Sequence, residues 1–256
     1  MPGTAPNPGR VVFLGAPYDL ASKETVIRSL QARTPADPFR YIVTPNVDHL
    51  NHLGQRPELL PVYAGAWQSW CDSHIVRRLG FLFGLRLPHL NGTDVVERIF
   101  GDVLQPGDRI ALIAARPGIV SAMCTRFPAL DIVATVPPME FIDDPDAVQA
   151  CVRFAIESRA RLLFIGVGAP QSEQLASRIA QTGEAKGTAL CIGAALEFIT
   201  GMKTRAPKTM QRLGLEWLHR LLSEPGRLWR RYVLGVGPLI GLVGREMLQR
   251  RTRAST

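Results

Sequence analysis

The stretch LFIGVGAPQSEQLA, residues 163–176, packs an apolar strand, a glycine turn and the start of a helix into a short segment. Leu163, Phe164 and Ile165 form an uninterrupted apolar run, as a strand buried on both faces requires. Gly166 and Gly168 allow a tight turn and let a ligand come close to the backbone. Amides that open a helix lack intrahelical partners and suit phosphate or another anion. Two readings stand side by side: an anion-binding loop, or the strand-to-helix turn that every α/β protein needs. The glycine pattern lacks the third glycine of a dinucleotide fingerprint.

Outward from this motif the same alternation repeats. Apolar runs at 10–15 (RVVFLG), 41–44 (YIVT), 109–115 (RIALIAA), 131–136 (DIVATV), 162–168 and 188–193 (TALCIG) read as buried strands. Segments 23–32, 94–100, 117–127, 146–159 and 172–181 carry helical spacing of apolar residues. Strand–helix alternation of this kind predicts an α/β fold with a doubly wound, mostly parallel sheet.

The chain has 256 residues, 46% hydrophobic and 20% charged, with a net charge of +8. That charge is unevenly placed. From Gly201 onward there are 12 Lys/Arg against 3 Asp/Glu, while residues 1–200 hold 18 against 19. The sequence therefore predicts an α/β body, 1–200, and a basic helical appendage, 201–256. Such an appendage seeks anions. Met210, Leu213, Trp217, Leu218, Leu221 and Leu222 fall on one helical face, and Arg212, Glu216 and Arg220 lie four apart on the other. SEPGR (223–227) is expected to end that helix, with a second short piece, RLWRRYVL, after it. The opening MPGTAPNPGR does not read as a signal peptide. The late apolar stretch YVLGVGPLIGLVG is too short to span a bilayer. Cys71, Cys124, Cys151 and Cys191 form no CxxC pair and read as reduced packing residues.

Several motifs bear on chemistry. YIVTPNVDHL places Thr44, Asn46, Asp48 and His49 just past a buried strand, where α/β sheets gather ligand groups and where helix caps also sit. His49 and His52 are three apart, but no third metal ligand accompanies them. In WCDSHIV, Asp72 lies among apolar and aromatic residues, which raises a carboxylate's basicity; Asp72 or Ser73 also serves as a helix cap. NGTD (91–94) reads as a turn with a cap at Thr93 or Asp94. DDPD (143–146) is better read as a capped helix start than as a metal-binding Asp-x-Asp.

Taken in order, these pieces resemble the WecG/TagA/CpsF family, glycosyltransferase family 26. The resemblance runs through FLGAPYDL, TPNVDHL, CDSHIV, NGTDVV and GVGAPQSE. It is most specific from residue 192 on, at Arg205-Ala206-Pro207, Leu215-Glu216-Trp217, Arg220-Leu221, Glu224-Pro225, Arg227 and Arg230-Arg231-Tyr232. It implies a Rossmann-like catalytic domain and an inverting transfer of an N-acetylmannosamine-type or glucose-type sugar. The donor would be a UDP-sugar and the acceptor a hydroxyl on an undecaprenyl-diphosphate-linked sugar in bacterial cell-surface polysaccharide synthesis. Asp72 stands at the family's general base and Thr44 in the same pocket. Asn46, Asp94, Gly166, Gly168, Pro170 and Glu173 stand at substrate-binding positions. Arg205, Arg220, Arg227, Arg230 and Arg231 stand where the appendage closes over the site and meets diphosphate. The resemblance further implies a cytoplasmic protein, peripheral on the inner face of the plasma membrane, in contact with anionic lipid. Arginine stabilisation of the departing UDP makes a metal-independent reaction, with no cofactor, the expectation.

The sequence departs from the family at Ser73 (for glycine), at Gln171-Ser172 and at Ala114-Ala115. These departures keep open an impaired member that acts as a binding partner in a polysaccharide-synthesis complex. Nucleic-acid binding is disfavoured, because the basic segment is helix-periodic and carries no recognised nucleic-acid motif. A nicotinamide enzyme is disfavoured by the incomplete glycine fingerprint. Whether the chain forms a homo-oligomer is left open.

Overall fold

The computed structural model describes residues 9–254. Its centre is a six-stranded sheet built from β3 (Arg40–Val43), β4 (Gln68–Ser69), β5 (Arg109–Ala114), β6 (Asp131–Thr135), β7 (Leu162–Gly166) and β8 (Thr188–Cys191). The order is β4-β3-β8-β7-β5-β6, and every neighbouring pair is parallel. Successive residues feed two cores. Ala111, Ile113, Leu163, Ile165, Ala189 and Cys191 join one, with helices Val47–Gln55, Pro145–Ser158 and Gln171–Thr182. Ile110, Leu112, Leu162, Phe164 and Leu190 join the other, with helices Lys23–Gln31, Gly92–Arg98 and Pro117–Arg126. The apolar runs are continuous because both faces are covered.

One strand falls elsewhere. The run at 10–15 was expected within the buried sheet. Instead β1 (Arg10–Phe13) pairs antiparallel with β2 (Ala16–Asp19) in a separate hairpin. Leu14 at φ 51 and Gly15 at φ 84 are the two loop residues, and positive φ at both reverses the chain at once. Arg10 braces the hairpin and holds it to the body: its Nε donates to Asp19 Oδ1 on β2 at 2.7 Å, and its guanidinium donates to the carbonyls of Ala66 and Trp67 in the body.

Connections from β5 and β7 leave in opposite directions along the sheet, β5 toward β6 and β7 toward β8. A crevice at the carboxyl ends of the strands follows from that reversal.

The appendage differs from expectation in two ways. Its first part is split at Gly214 into helices Lys208–Leu213 and Glu216–Ser223. The supposed single apolar face is only partly covered, since Leu213, Trp217 and Leu222 are exposed. Glu216 accepts a hydrogen bond from Asn91 Nδ2 at 3.2 Å. The side chain of Arg212 lies outside the described residues. After residue 224 the chain forms one helix, Pro225–Ala254, with Pro238 inside it, rather than a short piece followed by a broken stretch. Pro225 sits in the first turn, where its missing N–H costs nothing. Packing overrides the glycines and Pro238 further along. Leu242 is 8% exposed and joins the body's core, partly buried Leu239 and Val243 pack beside it, and Gly54 lets Leu242 approach. Glu246 and Arg250 pin the far end: Leu14 N donates to Glu246 Oε2 at 3.2 Å, and Arg250 donates to the Phe83 carbonyl at 2.9 Å. No helix among the described residues is long and apolar enough to cross a membrane.

Leu242→Asp places a charge in this contact and should release the helix. Tryptic cleavage within residues 225–254 is expected to accelerate by about tenfold or more, while the sheet amides keep their hydrogen-exchange protection.

Candidate active site

The crevice holds a cavity of about 530 Å³ at the carboxyl ends of the strands. Thr44 follows β3, Asp72 follows β4, Ala115 follows β5, Gly166 ends β7 with Gly168 just past it, and Gly193 follows β8; all line it. Thr44 is buried and donates from Oγ1 to the Cys191 carbonyl at 3.1 Å, which ties the ends of β3 and β8 together. A second cavity of about 320 Å³ lies between the body and the appendage. Val47, Ile75, Trp217, Val236 and Leu239 make much of its wall apolar. Asn46, Asp72, Arg220 and Tyr232 line both cavities.

Asp72 is thus a wall between two chambers. Its Oδ1 accepts from Gly92 N at 3.2 Å. Removal from water pushes its pKa up to about 7; the positive charge of Arg220 and the Gly92 amide oppose this rise, and nearby Glu216 adds to it. A carboxylate poised near neutrality is suited to take a proton from a substrate hydroxyl. Ser73, where the resemblance led to the expectation of a glycine, accepts from Val76 N and caps helix His74–Leu82. That departure therefore serves the backbone.

In the larger cavity, Lys203 Nζ lies 3.2 Å from both Glu197 Oε2 and Glu224 Oε1, so one lysine ties the appendage to the body at the rim. Arg116 pairs with the same Glu197. Arg220 lies over the Phe198 ring, 5.2 Å from its centroid. In the smaller cavity, His74 and His89 stack with ring centroids 3.8 Å apart. Burial lowers both pKa values, that of His89 to about 4, so both rings are neutral near pH 7.

Of the residues singled out from sequence, Thr44, Asn46, Asp72, Gly166, Gly168, Glu173 and Arg220 come together here. Pro170 is buried at the start of helix Gln171–Thr182 and is not among the lining residues. Asp94 and Arg205 stand outside both cavities and bond each other at 2.7 Å, with Glu97 3.3 Å from the same guanidinium. Arg230 is exposed on the last helix and lines neither cavity. The side chains of Arg227 and Arg231 lie outside the described residues. Ser172 turns its hydroxyl back to the Gly168 carbonyl at 3.0 Å. Of the four cysteines, Cys71, Cys151 and Cys191 are buried and Cys124 is exposed.

Sequence reasoning missed Lys203, His74, His89, Trp217 and Tyr232 as lining residues. Tyr232 and Trp217 lay within the most specific part of the resemblance, so a signal was present for them. His74 lay within CDSHIV and Lys203 within the stretch after residue 192, so only His89 enters from outside the quoted motifs.

A family model described as the glycosyl transferase WecG/TagA/CpsF family matches residues 11–253. The match takes in the hairpin, the parallel sheet and the appendage almost to its end. The chain belongs to that family and is a glycosyltransferase of its type.

The raised pKa of Asp72 has a consequence for stability. The folded carboxyl keeps its proton up to about pH 7, whereas an unfolded aspartate releases it near 4. The fold therefore binds the extra proton between those values and loses stability as pH rises through them. Asp72→Asn should raise stability by roughly 1–3 kcal/mol at pH 8 and change it little at pH 4, as read by denaturant melts at both.

Proposed function

We propose that this protein is an inverting glycosyltransferase that moves a sugar from a UDP-sugar to a hydroxyl of a polyprenyl-diphosphate-linked acceptor, in bacterial cell-surface polysaccharide synthesis. The observation that carries the reading is Asp72, a desolvated carboxyl shared by a polar-rimmed cavity and an apolar one. In this reading the nucleotide-sugar occupies the larger cavity, and the acceptor approaches through the smaller. Asp72 takes the proton of the acceptor hydroxyl as its oxygen attacks the donor C1. The bond from C1 to the β-phosphate oxygen breaks on the opposite face, and its electron pair leaves with UDP. The anomeric configuration inverts.

Charge builds on the leaving diphosphate. Arg220 lines the donor cavity and supplies a cation suited to that charge, which makes a metal-independent transfer the reading we favour. Thr44, with its hydroxyl proton committed to the Cys191 carbonyl, offers only acceptor lone pairs to a substrate.

Membrane contact belongs to the same proposal. Trp229, Val233, Val236, Ile240, Met247 and Leu248 are exposed apolar residues on the last helix, and Arg230 and Arg245 are exposed on it too. Such a surface suits an anionic leaflet, where each basic residue contributes about 1 kcal/mol. The donor sugar is of N-acetylmannosamine or glucose type in this reading. The neutral rings of His74 and His89 would meet the acceptor's sugar rather than its diphosphate.

UDP release in the presence of lipid-linked acceptor is the direct test. Asp72→Asn should lower kcat by at least about a hundredfold with the donor still bound. In the wild type, kcat should fall about tenfold per unit below pH 7, as the base is protonated. Arg220 holds the Asp72 pKa down, so Arg220→Ala should weaken UDP binding and move that limb to higher pH. Turnover by Asp72→Asn at the wild-type rate overturns the assignment. UDP-sugar binding without turnover on any acceptor points instead to an impaired member with a scaffolding role.

A further inference from the structure

Helix His74–Leu82 turns two large apolar side chains outward at its end: Phe81 is 71% exposed and Leu82 77%. The backbone that presents them is well held. Gly84, at φ 75, closes the helix, and Leu85 N donates to the Gly80 carbonyl at 2.9 Å. Leu87 is buried so close to Gly80 that a Cβ there would stand 3.1 Å from it. Phe83 packs inward on Phe13, with ring centroids 5.5 Å apart. The turn is fixed from the inside, while Phe81 and Leu82 stand in water.

The charge around them has one sign. Residues 73–93 hold Arg77, Arg78 and Arg86 and no Asp or Glu, in a body with 18 Lys/Arg against 19 Asp/Glu. All three arginines are exposed, and none is ion-paired to an acid among the described residues. Arg78 Nη2 donates to the Leu213 carbonyl at 2.7 Å, which leaves its charge unbalanced. Ile75, Arg78 and Leu82 lie three and four apart and so share one helical face. That face starts at the smaller cavity, which Ile75 lines together with Val236 of the last helix. Beyond Leu82 it meets the last helix again, where Arg250 donates to the Phe83 carbonyl.

We infer that helix His74–Leu82 and the turn after it make a second contact with an anionic lipid leaflet, through the body rather than the appendage. Phe81 and Leu82 enter the boundary between headgroups and acyl chains, and Arg77, Arg78 and Arg86 meet lipid phosphates. An apolar tip ringed by unpaired arginines matches that boundary on both counts, since it offers apolar depth below and negative charge above. The second contact also has a mechanical use. One amphipathic helix on a bilayer is free to roll about its own axis, and a contact off that axis stops the roll. With the last helix and this helix both bordering the smaller cavity, the two contacts hold its mouth to the leaflet. The inference rests on the proposed membrane-bound transferase for the use of that orientation, but not for the lipid contact itself.

Co-sedimentation of the full chain with phosphatidylcholine vesicles, with and without phosphatidylglycerol, tests this. The double variant Phe81→Ser/Leu82→Ser should bind phosphatidylglycerol vesicles about tenfold or more weakly. Its melting temperature should hold, because both side chains are already in water. Arg77→Gln/Arg86→Gln should lose about tenfold on the anionic vesicles and nothing on phosphatidylcholine alone. A depth readout runs beside these. In a Cys124→Ser background, where the remaining thiols are buried, Phe81→Cys carrying an environment-sensitive fluorophore should shift its emission to the blue on anionic vesicles. Undiminished vesicle binding by Phe81→Ser/Leu82→Ser overturns the inference, as does unshifted emission or a wild type that binds neither vesicle. Loss of self-association in that double variant, with vesicle binding intact, assigns the face to a second copy and also overturns it. If the double variant loses vesicle binding as expected but the wild type releases no UDP with any acceptor, the transferase reading fails and the lipid contact stands.

Discussion

Everything at the site depends on a topological constraint: strands β5 and β7 are neighbours whose connections leave the sheet in opposite directions. Helices cover both faces of the sheet, and no connection covers the gap where the chain turns away on both sides. The gap is a backbone feature, independent of which side chains surround it. Sequence determines only what is presented there. Thr44, Asp72, Ala115, Gly166 and Gly193 each stand at or just past the carboxyl end of a different strand. The ends of the strands form one side of the site and the appendage forms the other.

The appendage's charge has a more structural use than its total suggests. Arg205 pairs with Asp94 and Glu97, Lys203 with Glu197 and Glu224, and Arg250 with Glu246 and the Phe83 carbonyl. These contacts bridge the basic segment to the near-neutral body or brace the helix that lies on it. Exposed pairs of this kind contribute little singly, but they set where the segment lies. Arg220 differs: its guanidinium lies over Phe198, its charge reaches Asp72, and it lines both cavities. A strongly basic tail is thus divided between staples and a cation aimed at the site.

The body was legible in the sequence wherever burial dictated the residues. Five of the six expected strands lie in the sheet, because a strand covered on both faces leaves an apolar run that nothing else needs. The sixth went to a hairpin, because two consecutive positive-φ residues outweigh an apolar run in deciding where the next strand lies. Strand β4, only Gln68–Ser69, left no apolar run to read. Helix Pro225–Ala254 was missed for the opposite reason. Its glycines and Pro238 argue locally against a helix, and only its contacts with the body, those of Leu242, Glu246 and Arg250 among them, argue for one. Among site residues, motif position brought Asp72, Thr44, Asn46 and Glu173 to the cavity. It also nominated Asp94 and Arg205, which instead satisfy each other outside it. A motif records which residues matter, but a salt bridge and a substrate contact leave the same trace in one sequence.

The two cavities meet at a carboxyl because their chemistries differ. In the proposed reading the diphosphate donor needs cations and water-facing polar groups, whereas the lipid-linked acceptor needs an apolar path. A base that serves both must be dry enough to hold a proton near neutrality, yet open to each side. Covering Asp72 with the appendage meets the first need, and lying in a shared wall meets the second. The same covering brings Arg220 close, which pulls the carboxyl back toward ionisation. The value of about 7 is the balance of these opposed effects. In the proposed reading basicity is therefore tied to the covering appendage: exposed to water, the carboxyl would return toward an ordinary aspartate.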